Sequence, residues 1–180
     1  GSAVPVSLIQ TYREKLGVKL TQAYGMTEAT PLISVNRRKS NLDGLSSKEQ
    51  LQLAGKQGLM VPGLEMKLVD DQGQELPWDG EHRGELLFRG PWVAGEYYND
   101  PRSSDTFIDG WYHSGDIASV DEDGYIQIRD RVKDMVKSGG EWISSVDLET
   151  AIIAHPAVLE AAVIAIPHPT WQERPLACVV

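Results

Sequence analysis

The stretch RDRVKDMVKSGGEWISSVDLE, Arg129 to Glu149, places four basic residues, a bare Gly139-Gly140 pair and a helix start in one short span. Arg131, Lys133 and Lys137 stand an even number of residues apart, so an extended backbone would turn all three to one face. Gly139 and Gly140 remove side chains beside them, which leaves room for something slim to pass. Ser144-x-x-Asp147 is a capping pattern, and the helix it opens is expected to run to about His155-Pro156. The competing reading is solvated charge followed by a turn.

The texture of the chain differs on the two sides of this stretch. Upstream, over 59–129, short strands alternate with turns. Leu64 to Val69 alternates, Gly84 to Arg89 reads as a strand, and Ile117 to Arg129 reads as a hairpin around Asp121-Glu122-Asp123-Gly124. That block is expected to be a small β-barrel or curled sheet. Further upstream, Leu8, Ile9, Tyr12 and Leu16 form a helical stripe, with Ser7 as cap and Gly17 as stop. Val18 to Leu20 then reads as a strand leading into Tyr24-Gly25-Met26-Thr27-Glu28, an order typical of α/β sheets with ligands at strand ends. Ser46-x-x-Glu49 is a capping box for a short helix.

Downstream, Met135 to Lys137 reads as a strand and Val158 to Ile166 as another, ended by Pro167. The closing LACVV has the look of a strand, which needs neighbours, so the chain is expected to be part of a longer polypeptide. The expected organisation is the end of a doubly wound α/β subdomain over 1–58, a β-barrel-like subdomain over 59–129, a hinge at 130–134 and an incomplete α+β domain over 135–180.

Composition narrows the function. The formal net charge is −9, which argues against a nucleic-acid footprint because phosphate backbones are met by Lys and Arg. Arg37-Arg38-Lys39 is the nearest approach to a basic run and reads as a solvated loop. The single cysteine, Cys178, excludes an internal disulfide and a thiolate metal cluster. Within LACVV it is expected to be a buried strand residue, and such cysteine usage fits a cytoplasmic protein. The longest apolar run, Ala161 to Ile166, is far short of the ~20 residues of a membrane span. His155, before Pro156, reads as a helix-end residue.

Two further motifs carry coherent chemistry. In YGMTE, Tyr24 offers a flat face for a base, Gly25 admits close backbone approach, and Thr27 offers a hydroxyl to a phosphate oxygen. Glu28 is a hard oxygen ligand suited to Mg²⁺, which takes one or two carboxylates plus substrate phosphates. In WYHSGD, Asp116 follows a glycine and can accept hydrogen bonds from ribose hydroxyls, as acidic residues do in dinucleotide folds. A plain loop and a plain Gly-Asp turn are the competing readings.

YGMTE, GELLFRGPWVAGEYYND, DGWYHSGD and DRVKDMVKSGGEWISS occur here in the order found in the adenylate-forming superfamily of acyl-CoA synthetases, firefly luciferase and nonribosomal peptide adenylation domains. The chain resembles that superfamily over essentially all its residues. KSGGEWISSVDLE followed by HPTWQERPLA is particularly similar to the medium- and long-chain fatty acyl-CoA synthetases. The resemblance implies an ATP- and Mg²⁺-dependent enzyme that makes acyl-AMP from a fatty acid and then the CoA thioester. It implies Tyr24 against adenine, Thr27 on phosphate, Glu28 on Mg²⁺, and Asp116 and Arg131 on ribose and phosphate. Lys133 would be the hinge, Lys137 and Trp142 would close over the adenylate, and Gly139 and Gly140 would border the pantetheine path. A homodimeric parent is compatible with it. Two alternatives stay open: loading of a carrier protein's pantetheine arm, and a non-catalytic role for these residues alone. The sequence departs from the family pattern at Asp130, often Gly, and at His113-Ser114, often Arg-Thr.

Overall fold

The computed structural model describes residues 4–139 and 141–180, with the side chains of residues 141 and 142 outside the description. It is mixed α/β with most of the structure in sheet. The chain divides into two compact units, residues up to 114 with 118–128, and residues 115–117 with 129–180. Among the described residues no helix is long and apolar enough to cross a membrane.

The first unit begins with α1 (Val6–Leu16), followed by β1 (Ala23–Gly25), a 3-10 turn (Thr27–Ala29), β2 (Leu32–Val35), α2 (Ser47–Ala54), β3 (Gly58–Met60), β4 (Glu65–Val69) and β5 (Gly84–Arg89). The short α3 (Ser103–Thr106) and β6 (Phe107–Ile108) precede two long strands, β7 (Trp111–Val120) and β8 (Tyr125–Arg131), which carry the chain into the second unit. The strands form one sheet in the order β1-β2-β3-β8-β7-β5-β4, with β6 paired to β7. The pairs β1–β2, β2–β3, β3–β8, β4–β5 and β6–β7 are antiparallel. The path is open among the described residues, so the barrel-like block of 59–129 is an unclosed sheet that also takes in β1 and β2.

Local chemistry explains the element ends. Ser46 Oγ accepts the Glu49 amide at 3.3 Å while Glu49 Oε2 accepts the Ser46 amide at 2.8 Å, the reciprocal bonds of a capping box. At the other end of α2 the Asn36 side chain donates to the carbonyls of Leu53 and Lys56, at 2.6 and 2.7 Å. Asp121 turns the β7–β8 hairpin by accepting the Tyr125 amide at 2.8 Å. For α1, Pro5 occupies the N-cap and no side chain caps it, so Ser7 lies inside the helix; Gly17 ends it at φ 64°. Residues 18–20 are not a strand, and the strand near YGMTE is β1 itself. The core lies under the sheet, where Ile33, Leu68, Leu86, Phe88, Val120 and Ile126 are wholly buried. Each such side chain contributes about 1.5–3 kcal/mol. The basic loop is neutralised locally, Arg38 by Asp43 at 3.0 Å and Lys39 by the hairpin tip at Asp123.

The second unit contains β9 (Val136–Ser138), β10 (Glu141–Ile143), α4 (Ser145–Ile153), β11 (Ala161–His168) and β12 (Gln172–Val179), with sheet order β10-β9-β12-β11. β11 and β12 pair along their full length, from Ala161 with Val179 to His168 with Gln172. Pro167 therefore sits inside β11 instead of ending it. Ser144 Oγ accepts the Asp147 amide at 3.1 Å and caps α4, which stops at Ile153, short of His155. Cys178 is exposed, against the expectation of a buried residue, because residues 176–179 of β12 are exposed on both faces.

Candidate active site

YGMTE runs from β1 into the 3-10 turn. Tyr24 is half-buried and packs against the sheet core. Gly25 is required by its surroundings: a Cβ there would lie 2.0 Å from the Pro31 carbonyl oxygen. The Met26 amide donates to that same carbonyl at 2.7 Å and closes the loop. Thr27 is exposed, and its hydroxyl has no hydrogen-bond partner among the described residues. Glu28 is half-buried and is the better-held group.

Three bonds from the segment 92–97 fix that turn. The Ala94 amide donates to the Glu28 carbonyl at 2.8 Å, Thr30 Oγ1 donates to the Trp92 carbonyl at 3.0 Å, and Tyr97 Oη donates to Glu28 Oε1 at 2.6 Å. Burial pushes the Tyr97 hydroxyl above its ordinary value, and the bond to Glu28 adds to the rise. The hydroxyl therefore keeps its proton and acts as the donor. Nothing in the sequence marked Tyr97 as a partner of Glu28. The only signal was its place in GEYYND, one of the ordered motifs.

Asp116 and Arg131 are brought together within the second unit. Arg131 Nε donates to Asp116 Oδ1 at 3.0 Å; the carboxylate side chain is 6% exposed and the guanidinium 54%. One oxygen of the expected ribose acceptor is thus already engaged by the other expected nucleotide residue. The Val132 amide donates to the Gly115 carbonyl at 2.9 Å and continues the same contact.

The expected single basic face is not formed. Arg131 ends β8, residues 132–135 turn back with the Asp134 and Met135 amides on the Arg131 carbonyl, and Lys137 lies in β9. The turn breaks the alternation, so Lys133 sits exposed at a bend and not on a strand face shared with its neighbours. Lys137 is exposed, and its amide donates to Glu173 Oε2 at 2.7 Å. Trp142 stands opposite Lys137 in the β9–β10 register; its side chain lies outside the described part, as does Gly140 entirely.

Gly139 adopts φ +63° and packs under the Trp171 indole, where a Cβ would meet Cε3 at 2.7 Å. Its amide donates to the Trp171 carbonyl at 3.0 Å. Asp130, the departure from the family pattern, is buried and accepts the amides of Arg131 and Ser145, both at 2.7 Å. His113 pairs with Glu85 at 3.1 Å and Ser114 Oγ donates to the Leu86 carbonyl at 2.6 Å, so both replacements hold β7 to its neighbour.

What these groups amount to chemically is a fixed carboxylate beside an exposed hydroxyl in one unit, and a covered carboxylate paired with an arginine in the other. Carboxylates, hydroxyls and guanidinium groups of this kind suit a magnesium nucleotide. The chain belongs to the AMP-binding enzyme family, whose pattern matches residues 1–98, and residues 147–180 match the AMP-binding enzyme C-terminal domain.

Among curated relatives the chain is 50% identical to a long-chain-fatty-acid–CoA ligase of Thermus thermophilus, over 100% of this chain and 34% of that protein. It is 48% identical to a 3-methylmercaptopropionyl-CoA ligase of Ruegeria lacuscaerulensis and 46% identical to a medium-chain-fatty-acid–CoA ligase of Ectopseudomonas oleovorans, in each case over 100% of this chain and 33% of the relative. The ATP-bound structure of MatB from Rhodopseudomonas palustris superposes with a TM-score of 0.83 at 30% identity, over 99% of this chain and 34% of that one. The chain thus spans about a third of the length of these relatives.

Proposed function

We propose that these residues belong to an ATP-dependent fatty acid–CoA ligase. The observation that carries the reading is the match over the whole chain, at 46–50% identity, to ligases named for fatty and short thio-substituted acids. In the first half-reaction a carboxylate oxygen attacks the α-phosphorus of ATP and pyrophosphate leaves. In the second the CoA thiol attacks the acyl carbonyl carbon and AMP leaves. Negative charge develops on oxygen in both steps, so fixed donors and cations are the groups that stabilise them.

The roles are assigned group by group. Tyr24 stacks on adenine, Gly25 lets the backbone approach the nucleotide, and Thr27 donates its hydroxyl to a phosphate oxygen. Asp116 accepts from the ribose hydroxyls, with Arg131 holding the carboxylate and adding charge beside the phosphate. The donor set fits magnesium: Glu28 has one oxygen fixed by Tyr97, and its Oε2 has no hydrogen-bond partner among the described residues. Magnesium bound with the nucleotide would supply charge neutralisation at the phosphate oxygens.

Lys133, in the exposed turn after β8, serves as the hinge position within 130–134. Lys137 and Trp142 close over the adenylate, and Gly139 and Gly140 line the way of the thiol. The longer protein takes ATP, a fatty acid and CoA as its small-molecule partners.

The test is ATP–pyrophosphate exchange on the full-length protein, with octanoate and palmitate as rival acids. Glu28→Ala should lower the exchange rate by on the order of 10²-fold, the scale of a lost transition-state stabiliser. An exchange rate left unchanged by Glu28→Ala removes Glu28 from the reaction. Failure of both acids to support exchange removes the fatty acyl assignment.

A further inference from the structure

Tyr97 has no assigned contact with nucleotide, acid or thiol, yet it is the residue whose side chain grips Glu28. Its hydroxyl donates to Glu28 Oε1 at 2.6 Å across 69 residues of sequence. The Tyr97 ring is braced from behind by Phe107 and, beyond it, by Tyr112, a residue only 6% exposed. These rings form a continuous aromatic wall. Tyr97 meets Phe107 edge-on with centroids 5.3 Å apart, Phe107 meets Tyr112 at 5.1 Å, and Tyr112 meets the wholly buried Phe88 at 5.0 Å. Backbone bonds hold Tyr97 as well: Ser103 Oγ accepts its amide at 2.7 Å and donates to its carbonyl at 3.1 Å. The phenol is therefore positioned by the core and by its own main chain, independently of Glu28.

A glutamate side chain has several rotatable bonds, and freezing them costs binding energy that a prior hydrogen bond removes. With Oε1 engaged, Oε2 is the oxygen left to meet a cation. We propose that Tyr97, held by Ser103 and Phe107, is a positioning residue that sets the Glu28 carboxylate for magnesium. The inference rests on the reading of Glu28 as the magnesium ligand. It adds that GEYYND acts on YGMTE through one phenol, so two separate motifs serve one carboxylate. Partners that orient a metal ligand are worth about 10–100-fold in metal affinity when lost.

The experiment is a Mn²⁺ titration by electron paramagnetic resonance on the full-length enzyme with the non-reacting analogue α,β-methylene-ATP, comparing wild type, Tyr97→Phe and Glu28→Gln. Tyr97→Phe keeps the ring against Phe107 and should raise the Mn²⁺ dissociation constant by about tenfold or more. In the exchange assay Tyr97→Phe should raise the Mg²⁺ concentration needed for half-maximal rate while turnover at saturating Mg²⁺ stays near wild type. If Glu28→Gln weakens Mn²⁺ and Tyr97→Phe binds it like wild type, the positioning role is overturned and the Glu28 reading stands. If Glu28→Gln leaves Mn²⁺ affinity unchanged, the Glu28 reading falls and the positioning role falls with it.

Discussion

Asp130 occupies a position where the family often carries glycine, and here its carboxylate is buried at the start of α4. It accepts the amides of Arg131 and Ser145 and, at 3.1 Å, the Ser145 hydroxyl. A carboxylate at a helix N-terminus meets amides with no partner inside the helix, and in partly buried geometry that is worth up to about 2 kcal/mol. The departure from the family pattern therefore has a local purpose in linking β8 to α4. Asp79 shows the same chemistry at the surface. Its Oδ1 accepts the amides of Glu81 and His82, both at 2.9 Å, and its Oδ2 meets His82 Nδ1 at 2.6 Å. The bond from the His82 amide, then that from Glu81, lowers its pKa to about 2. A carboxylate depressed in the folded state stabilises above its ordinary value near 4 and loses that contribution as pH falls towards 2. Asp79→Asn should lower the urea midpoint at pH 7, and the gap to wild type should shrink as pH drops from 4 towards 2. A gap that stays constant across that range would show that charge at Asp79 does not matter.

Elements closed by neighbouring residues were readable in sequence, and elements decided by distant partners were not. The Ser46–Glu49 box, the Ser144 cap and the Asp121 turn all involve groups three or four residues apart, and the structure contains each one. The strand read at Val18 to Leu20 lacked such a local marker, and its backbone is irregular. The even spacing of Arg131, Lys133 and Lys137 suggested one face because alternation assumes an extended chain, and the 132–135 turn removes that assumption. Cys178 was read as buried from its apolar neighbours, but burial depends on what covers a strand, which spacing does not encode. At the site, the residue types in YGMTE were legible, while the phenol on Glu28 lies 69 positions away. Gly139 belongs to the same group: the residue that requires it to be bare, Trp171, is distant in sequence. Gly139→Ala should destabilise the β9–β12 element by about 1–2 kcal/mol from the left-handed backbone alone, with more from the indole clash. Trp171→Ala removes the clash but leaves the backbone strain, so the double variant should be more stable than the two single losses added together. Strict additivity in denaturant midpoints would remove the packing explanation.

At the scale of the whole molecule, two compact units share one chain and two strands cross between them. Tyr24, Gly25, Thr27 and Glu28 belong to the first unit, Asp116 and Arg131 to the second. The 132–135 turn, exposed at Lys133, lies within the second unit. Separate cores also make separate predictions for stability. Phe88 is wholly buried in the first unit and contacts Tyr112, so Phe88→Ala should cost that unit about 3–5 kcal/mol. Val136, also wholly buried, belongs to the second unit and has no part in that cluster. Amide hydrogen exchange on the 180-residue chain should therefore show faster exchange in β4, β5 and β7 for Phe88→Ala, with protection in β9, β11 and β12 unchanged. Equal loss of protection in all of these strands would mean that the two units unfold as one, and that the body carrying Arg131 and Lys133 is not independently stable.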